Sequence, residues 1–181
     1  MNKTKTTTKT TTERAPDAST PAGAAKERLK ALIEGIRVAI LVTTGENGRP
    51  HGRPMYTQEA KFDGHVWFAT SDSSTVAAEV RANPIVQLSY SSPGGEKYVS
   101  LVGEAQLLND REKIQELWTP FMKAWFEGPD DPSLRLIRVK ALEAQYWDSP
   151  GGKVGSWLSI AKSIVTGKHD DDGGYAHVSF E

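Results

Sequence analysis

Between Ala24 and Arg37 the apolar residues Leu29, Leu32, Ile33 and Ile36 recur at spacings of three and four, which predicts an amphipathic helix. The period then changes. "RVAILVTT" is rich in β-branched residues and runs into "GENGRP", whose Asn47-Gly48 pair is a strong hairpin signal. A partner strand follows from about His51 to Gln58, the Asp63-Gly64 pair in "KFDGH" turns the chain again, and "VWFAT" reads as a third strand. Val76, Ala77 and Val80 predict a helix over 73–82, stopped by Asn83-Pro84. "IVQLSY", a turn at "SSPGGEK" and a long strand from Tyr98 to Leu108 come next. Asp110 is placed to cap a helix carrying Ile114, Leu117 and Trp118; a second short helix, Phe121 to Phe126, is broken by "EGPDDP". The last predicted strand starts near Leu134 and ends at Asp148.

Several strands joined by tight turns and interrupted by a few helices predict an α+β fold built on an antiparallel barrel. Repeated βαβ crossovers, the mark of a doubly wound nucleotide fold, are missing from the pattern. The opening "MNKTKTTTKTTTERAPDASTPAG" lacks large apolar residues, so residues 1–23 read as a disordered tail. The folded domain is expected over 24–150. Beyond it, "VGSWLSIAKSIVTG" reads as one apolar-faced helix and "KHDDDGGYAHVSFE" as a loose tail, together residues 151–181.

Composition narrows the function classes. With 38% hydrophobic and 25% charged residues and a net charge of −1, the 181 residues suit one soluble domain with a proper core. Near-neutral charge argues against a nucleic-acid binder, which needs a basic surface. The chain has no cysteine, so disulfides, thiolate nucleophiles and cysteine-ligated zinc or iron–sulfur sites are excluded. Apolar runs such as "VAILV" are too short to span a bilayer, and no apolar segment follows the first lysines as a secretory signal would require. A cytoplasmic location is the expectation.

The stretch from Gly48 to Pro84 carries more than a core needs. "SDSST" puts three consecutive hydroxyls, Ser73, Ser74 and Thr75, at a helix start, where backbone N–H groups and hydroxyls suit a phosphate. They equally suit a simple helix cap. Trp and Met residues supply the flat apolar surface that a planar cofactor wants. No Ser-His-Asp set or carboxylate pair stands out; His51 and His65 lie near turns and read as surface residues. His169 and His177 beside Asp170, Asp171 and Asp172 lack regular metal-ligand spacing, so no metal is expected there.

The ordered set Arg53-Pro54-Met55, Trp67-Phe68-Ala69-Thr70, Ser74 before a helix ending Asn83-Pro84, Leu117-Trp118, "WFEGPDDP" and "EAQYWD" resembles the flavin-binding split β-barrel superfamily. That superfamily contains the pyridoxamine 5′-phosphate oxidases, and the closer likeness is to its general-stress-protein-26-like branch. The resemblance covers roughly Leu29 to Trp147. It implies a homodimer holding FMN, or FAD, at the subunit interface, and an oxidoreductase role on a small substrate. Arg53, Pro54 and Met55 would then line the isoalloxazine ring, largely through main-chain groups. Ala69 and Thr70 would lie under the ring and ribityl chain, Ser74 and Thr75 would face the phosphate, and Trp118 or Trp147 would close the ring pocket.

Two features depart from the family pattern. Its members place a lysine six residues after the Thr70 position; this chain has Val76, and Thr75 stands where the oxidases carry arginine. A lost charge-assisted contact to phosphate costs about 1.5–3 kcal/mol, so Val76→Lys is expected to tighten FMN binding, and Arg53 or Arg81 are candidate replacements. The chain also ends "GGYAHVSFE", without the oxidases' Arg and Leu-Pro ending, which disfavours that reaction. The alternatives are a deazaflavin-dependent reductase on the same barrel, or a non-enzymatic barrel dimer whose decayed flavin site serves interaction or haem handling.

Overall fold

A computed structural model of the chain describes residues 22–58, 61–148 and 174–180. Helix α1 (Ala22–Gly35) begins slightly before the expected start and buries Leu29, Leu32 and Ile33, the residues its periodicity singled out. Strands β1 (Val38–Thr44) and β2 (Pro50–Tyr56) form the hairpin that Asn47-Gly48 announces, with Gly48 at φ +73°. Gly64 (φ +102°) turns the chain into β3 (His65–Ser71), and helix α2 follows at Thr75–Ala82. Then come β4 (Ile85–Ser92), β5 (Lys97–Leu108), α3 (Arg111–Leu117), a 3-10 turn at Pro120–Ala124, β6 (Leu134–Asp148) and β7 (Gly174–Ser179). Asp110 caps α3, its side chain accepting from the Lys113 N–H as expected.

All pairings are antiparallel, in the order β2-β1-β4-β5-β6-β3, with β7 also on β6. The sheet curls until its ends approach: the Gln58 N–H beyond β2 donates to the Trp67 carbonyl of β3 at 2.8 Å. This is the antiparallel α+β barrel that the turn pattern predicts. Strand β6 is long enough to carry two partners on one edge. Its first half pairs with β3 (His65 to Ser71) and its second half with β7.

Strand β7 corrects the reading of the carboxyl-terminal residues as a loose tail. Ala176 and Val178 are buried, and Tyr175 packs on Trp147 with ring centroids 5.4 Å apart. The expected helix after Gly151 and the expected disordered start lie outside the described residues.

Two apolar clusters hold these layers. The larger fills the barrel and includes Leu29, Ala39, Leu41, Phe68, Val76, Leu88, Leu101 and Val139. The smaller, on the other side of β3 and β6, joins Ile114, Leu117, Met122, Phe126, Leu134 and Leu136, with Trp67, Ala69 and Trp118 packed against it. Arg28 of α1 bonds the buried Asp148 carboxylate at the end of β6 and so ties the helix to the sheet.

Candidate functional site

Where β2 and β3 converge under the 3-10 turn, the surface opens into a groove of about 350 Å³. Pro54, Met55 and Tyr56 form one wall, Ala69, Thr70 and Ser71 the other, and Phe121 and Trp125 the rim. The rim is an aromatic ladder: Tyr56 to Phe121 and Phe121 to Trp125 are each 4.8 Å between centroids. Trp125 is 65% exposed, unusual for so large an aromatic side chain. Gln58 lies buried at the inner side, and its Oε1 has no hydrogen-bond partner.

At one end the lining hydroxyls Thr70 and Ser71 lead to further hydroxyls, Ser73, Ser74 and Thr75, which do not line the groove themselves. Ser74 caps α2, its Oγ accepting from the Ala77 N–H at 3.2 Å and lying 2.8 Å from Thr70 Oγ1. Ser71 and Ser73 are paired at 3.2 Å, and Thr75 is exposed at the first turn. The nearby cations are already engaged. Arg81 bonds the Asp72 carboxylate and carbonyl, and Arg135 Nε lies 3.2 Å from the same carboxylate. Val76, far from replacing a solvent-facing lysine, is a core residue only 7% exposed. The expected gain from Val76→Lys is therefore corrected: the position faces the barrel interior, because α2 buries Val76, Ala77 and Val80 as one stripe.

Arg53 is drawn the other way, into a buried cluster. Its Nη2 donates to Glu79 Oε2 at 2.6 Å, and its Nη1 donates to Thr43 Oγ1. Thr43 Oγ1 in turn donates to Glu79 Oε2 at 2.5 Å, and His51 Nδ1 lies 2.6 Å from Glu79 Oε1. Since a carboxylate oxygen only accepts, the imidazole donates from Nδ1. Glu79 is 5% exposed. Burial pushes its carboxyl up, but the hydrogen bonds from Thr43, His51 and Arg53 and the Arg53 charge outweigh burial and hold it at about 2. His51, read as a surface residue, is half-exposed yet fixed by this carboxylate.

The structure thus brings Pro54, Met55, Ala69 and Thr70 together as groove lining, with Ser74 bonded to Thr70 and Thr75 one residue further. It sets Arg53 beside them with its side chain on Glu79. Trp118 packs on the smaller core and Trp147 lies half-exposed on β6; neither lines the groove. Sequence reading assigns no site role to Tyr56, Gln58, Phe121, Trp125 or Glu79, although Trp125 opens the "WFEGPDDP" stretch that carries the resemblance. The signal for Glu79 was present: it sits three residues after Val76, on the apolar stripe of α2. Among the described residues no group of His, Asp and Glu is arranged to hold a metal ion, and no helix is long and apolar enough to cross a membrane. His177, on β7, faces Glu143 at 3.4 Å; His169 lies outside the described residues.

The chain is 30% identical over 119 residues to general stress protein 26 of Bacillus subtilis, covering 64% of this chain and 82% of that one. It is 28% identical over 110 residues to protein bli-3 of Neurospora crassa, covering 56% of this chain and spanning only about half, 53%, of that protein. Among solved structures it resembles the general stress FMN/FAD binding protein of Xanthomonas citri, with a TM-score of 0.61 and 31% identity over 70% of this chain and 89% of that one. The sequence pattern of the pyridoxamine 5′-phosphate oxidase-like proteins matches residues 24–171, well over half of the chain, and the chain belongs to that family.

Proposed function

We propose that the groove between β2 and β3 binds a flavin, FMN or FAD, with its ring against Pro54, Met55 and Ala69 and its phosphate toward Ser74 and Thr75. The observation that carries this reading is the convergence of the two strands on an apolar slot of about 350 Å³ that ends in hydroxyls. A slot of that size lies within the range of small-molecule sites, about 300–1,000 Å³. The residues fit the group. The walls are apolar, Trp125 and Phe121 offer ring faces, and Gln58 Oε1 is an acceptor that lacks a donor. A bound flavin supplies hydride or single-electron transfer; the chain binds the ring, orients it and shields it from water. An oxidoreductase acting on a small molecule is the activity this supports.

The complete site is formed by two copies. Val38, Ile40 and Ile85 on β1 and β4 are each more than 40% exposed although they are aliphatic strand residues. Ile40 pairs directly with Pro54 of the groove wall, so this apolar face is continuous with the site. The test is the absorption spectrum of the purified protein followed by fluorescence titration with FMN, FAD and riboflavin. Flavin bands or micromolar quenching support the reading; a colourless protein indifferent to all three, or one that prefers a deazaflavin, overturns it. Ile40→Lys is expected to shift sedimentation from dimer to monomer and weaken flavin binding together. A monomeric wild-type protein with full affinity refutes the two-copy site.

A further inference from the structure

The cluster around Glu79 has no part in lining the groove, yet it joins the elements that do. Thr43 of β1 and His51 of β2 are direct cross-strand partners, and Arg53 follows two residues later on the same side of β2. All three reach one carboxylate in the middle of α2. The start of the same helix is fixed to β3 through Ser74 and Thr70. Helix α2 is therefore bolted at its middle to the strand carrying Pro54 and Met55, and at its start to the strand carrying Ala69 and Thr70. Those strands are the two walls of the groove.

We propose that Glu79 is a positioning residue that sets the separation between the ring-binding wall of β2 and the hydroxyl end at the start of α2, and thereby the preference for a phosphorylated over an unphosphorylated flavin. A ligand that touches only the β2 wall and the ring floor is insensitive to where α2 starts. One that also reaches Ser74 and Thr75 with a phosphate depends on that distance. The buried site makes the brace stiff, because a buried carboxylate with three donors has one satisfactory arrangement. The cluster also keeps the Arg53 guanidinium turned to Glu79, so the discrimination is geometric and not a matter of Arg53 charge.

This inference rests on the flavin reading, and the experiment separates the two. Wild type, Glu79→Gln and Thr43→Val are titrated with FMN and with riboflavin, and their melting temperatures are measured alongside. Thr43→Val is nearly isosteric and leaves the Arg53–Glu79 pair in place, so it reports even if Glu79→Gln folds poorly. The ratio of riboflavin to FMN dissociation constants is expected to fall about fivefold to tenfold in Glu79→Gln and about twofold to threefold in Thr43→Val, with riboflavin affinity unchanged. A wild-type protein that binds neither flavin sinks the flavin reading itself. Variants that melt earlier but keep the wild-type ratio show that Glu79 serves stability alone, which overturns the inference. Tighter FMN binding in Glu79→Gln overturns it differently, by revealing Arg53 as a phosphate ligand that Glu79 holds back.

Discussion

Lysine substitutions at adjacent positions, Val76→Lys and Thr75→Lys, separate the two sides of helix α2. Val76 is 7% exposed and packs in the barrel core. Losing that burial costs about 1.5–3 kcal/mol, and forcing an ammonium toward apolar neighbours adds to it even if the side chain snorkels outward. Taking about 3 kcal/mol in all, and about 2–4 °C per kcal/mol for a chain of this size, the melting temperature falls by roughly 6–12 °C. Thr75 is exposed in the first turn of the same helix. There the lysine costs only its unfavourable placement at a helix N-terminus, about 0.3–1 kcal/mol, or roughly 1–4 °C. FMN affinity moves the opposite way: Thr75→Lys adds a charge-assisted phosphate contact worth about 1.5–3 kcal/mol, roughly tenfold to over a hundredfold. Riboflavin, lacking the phosphate, binds both wild type and Thr75→Lys alike. Circular-dichroism melts and flavin titrations read both quantities. A Val76→Lys protein that melts with wild type and tightens FMN refutes the placement of Val76 and restores it as a phosphate-facing position.

Three further outcomes are expected. Opposite the bulge that Leu142 makes in β6, a Cβ on Gly103 meets the Lys140 carbonyl oxygen and Val139 Cγ1 at 2.6 Å each, so Gly103→Ala destabilises by about 2 kcal/mol, while Gly35→Ala, with open space around it, does not; equal urea midpoints for the two contradict this. Because the Glu79 carboxyl is lowered from 4.5 to about 2 by folding, its contribution to stability is complete above about pH 4.5 and is lost as pH falls toward about 2, through its contacts with Thr43, His51 and Arg53. The difference in urea midpoint between wild type and Glu79→Gln is therefore expected to shrink across that window; a constant difference means the carboxylate is not held as described. Trp125→Ala, at a residue 65% exposed, is expected to weaken flavin binding about fivefold, equivalent to about 1 kcal/mol of stacking, with the melting temperature nearly unmoved. An unchanged dissociation constant removes Trp125 from the site.

Much of the scaffold was legible because it is written locally. Asn47-Gly48 and Asp63-Gly64 carry their turns by the positive φ that glycine tolerates, and Asp110 carries its helix start by a side-chain acceptor. Strand β7 was not legible, since its residues pair only because β3 leaves the second half of β6 uncovered, a fact set by strand lengths far away in sequence. The groove walls followed from the family letters Arg53-Pro54-Met55 and Ala69-Thr70. The rim was signalled only by the Trp125 that opens "WFEGPDDP", since Pro120–Ala124 winds as a 3-10 turn that leaves Phe121 and Trp125 at the groove while Trp118 packs inward. Val76 was misjudged because the family's lysine position was set above its own place on the apolar stripe of α2. Glu79 was missed for a different reason: a carboxylate on that stripe is intelligible only with the donors of β1 and β2 beside it.

The shared edge of β6 has one more consequence. From Leu134 to Lys140 that edge is occupied by β3, an internal strand locked by turns on both sides, but from Glu143 to Asp148 it is closed by β7. Main-chain pairing does not distinguish which molecule donates the strand, and β7 contributes no residue to the groove lining. A β7 supplied by a second molecule would therefore complete the same edge and leave both grooves intact. A molecule trimmed before Gly174 instead carries a bare template of unpaired peptide groups, open to end-on growth into ribbons.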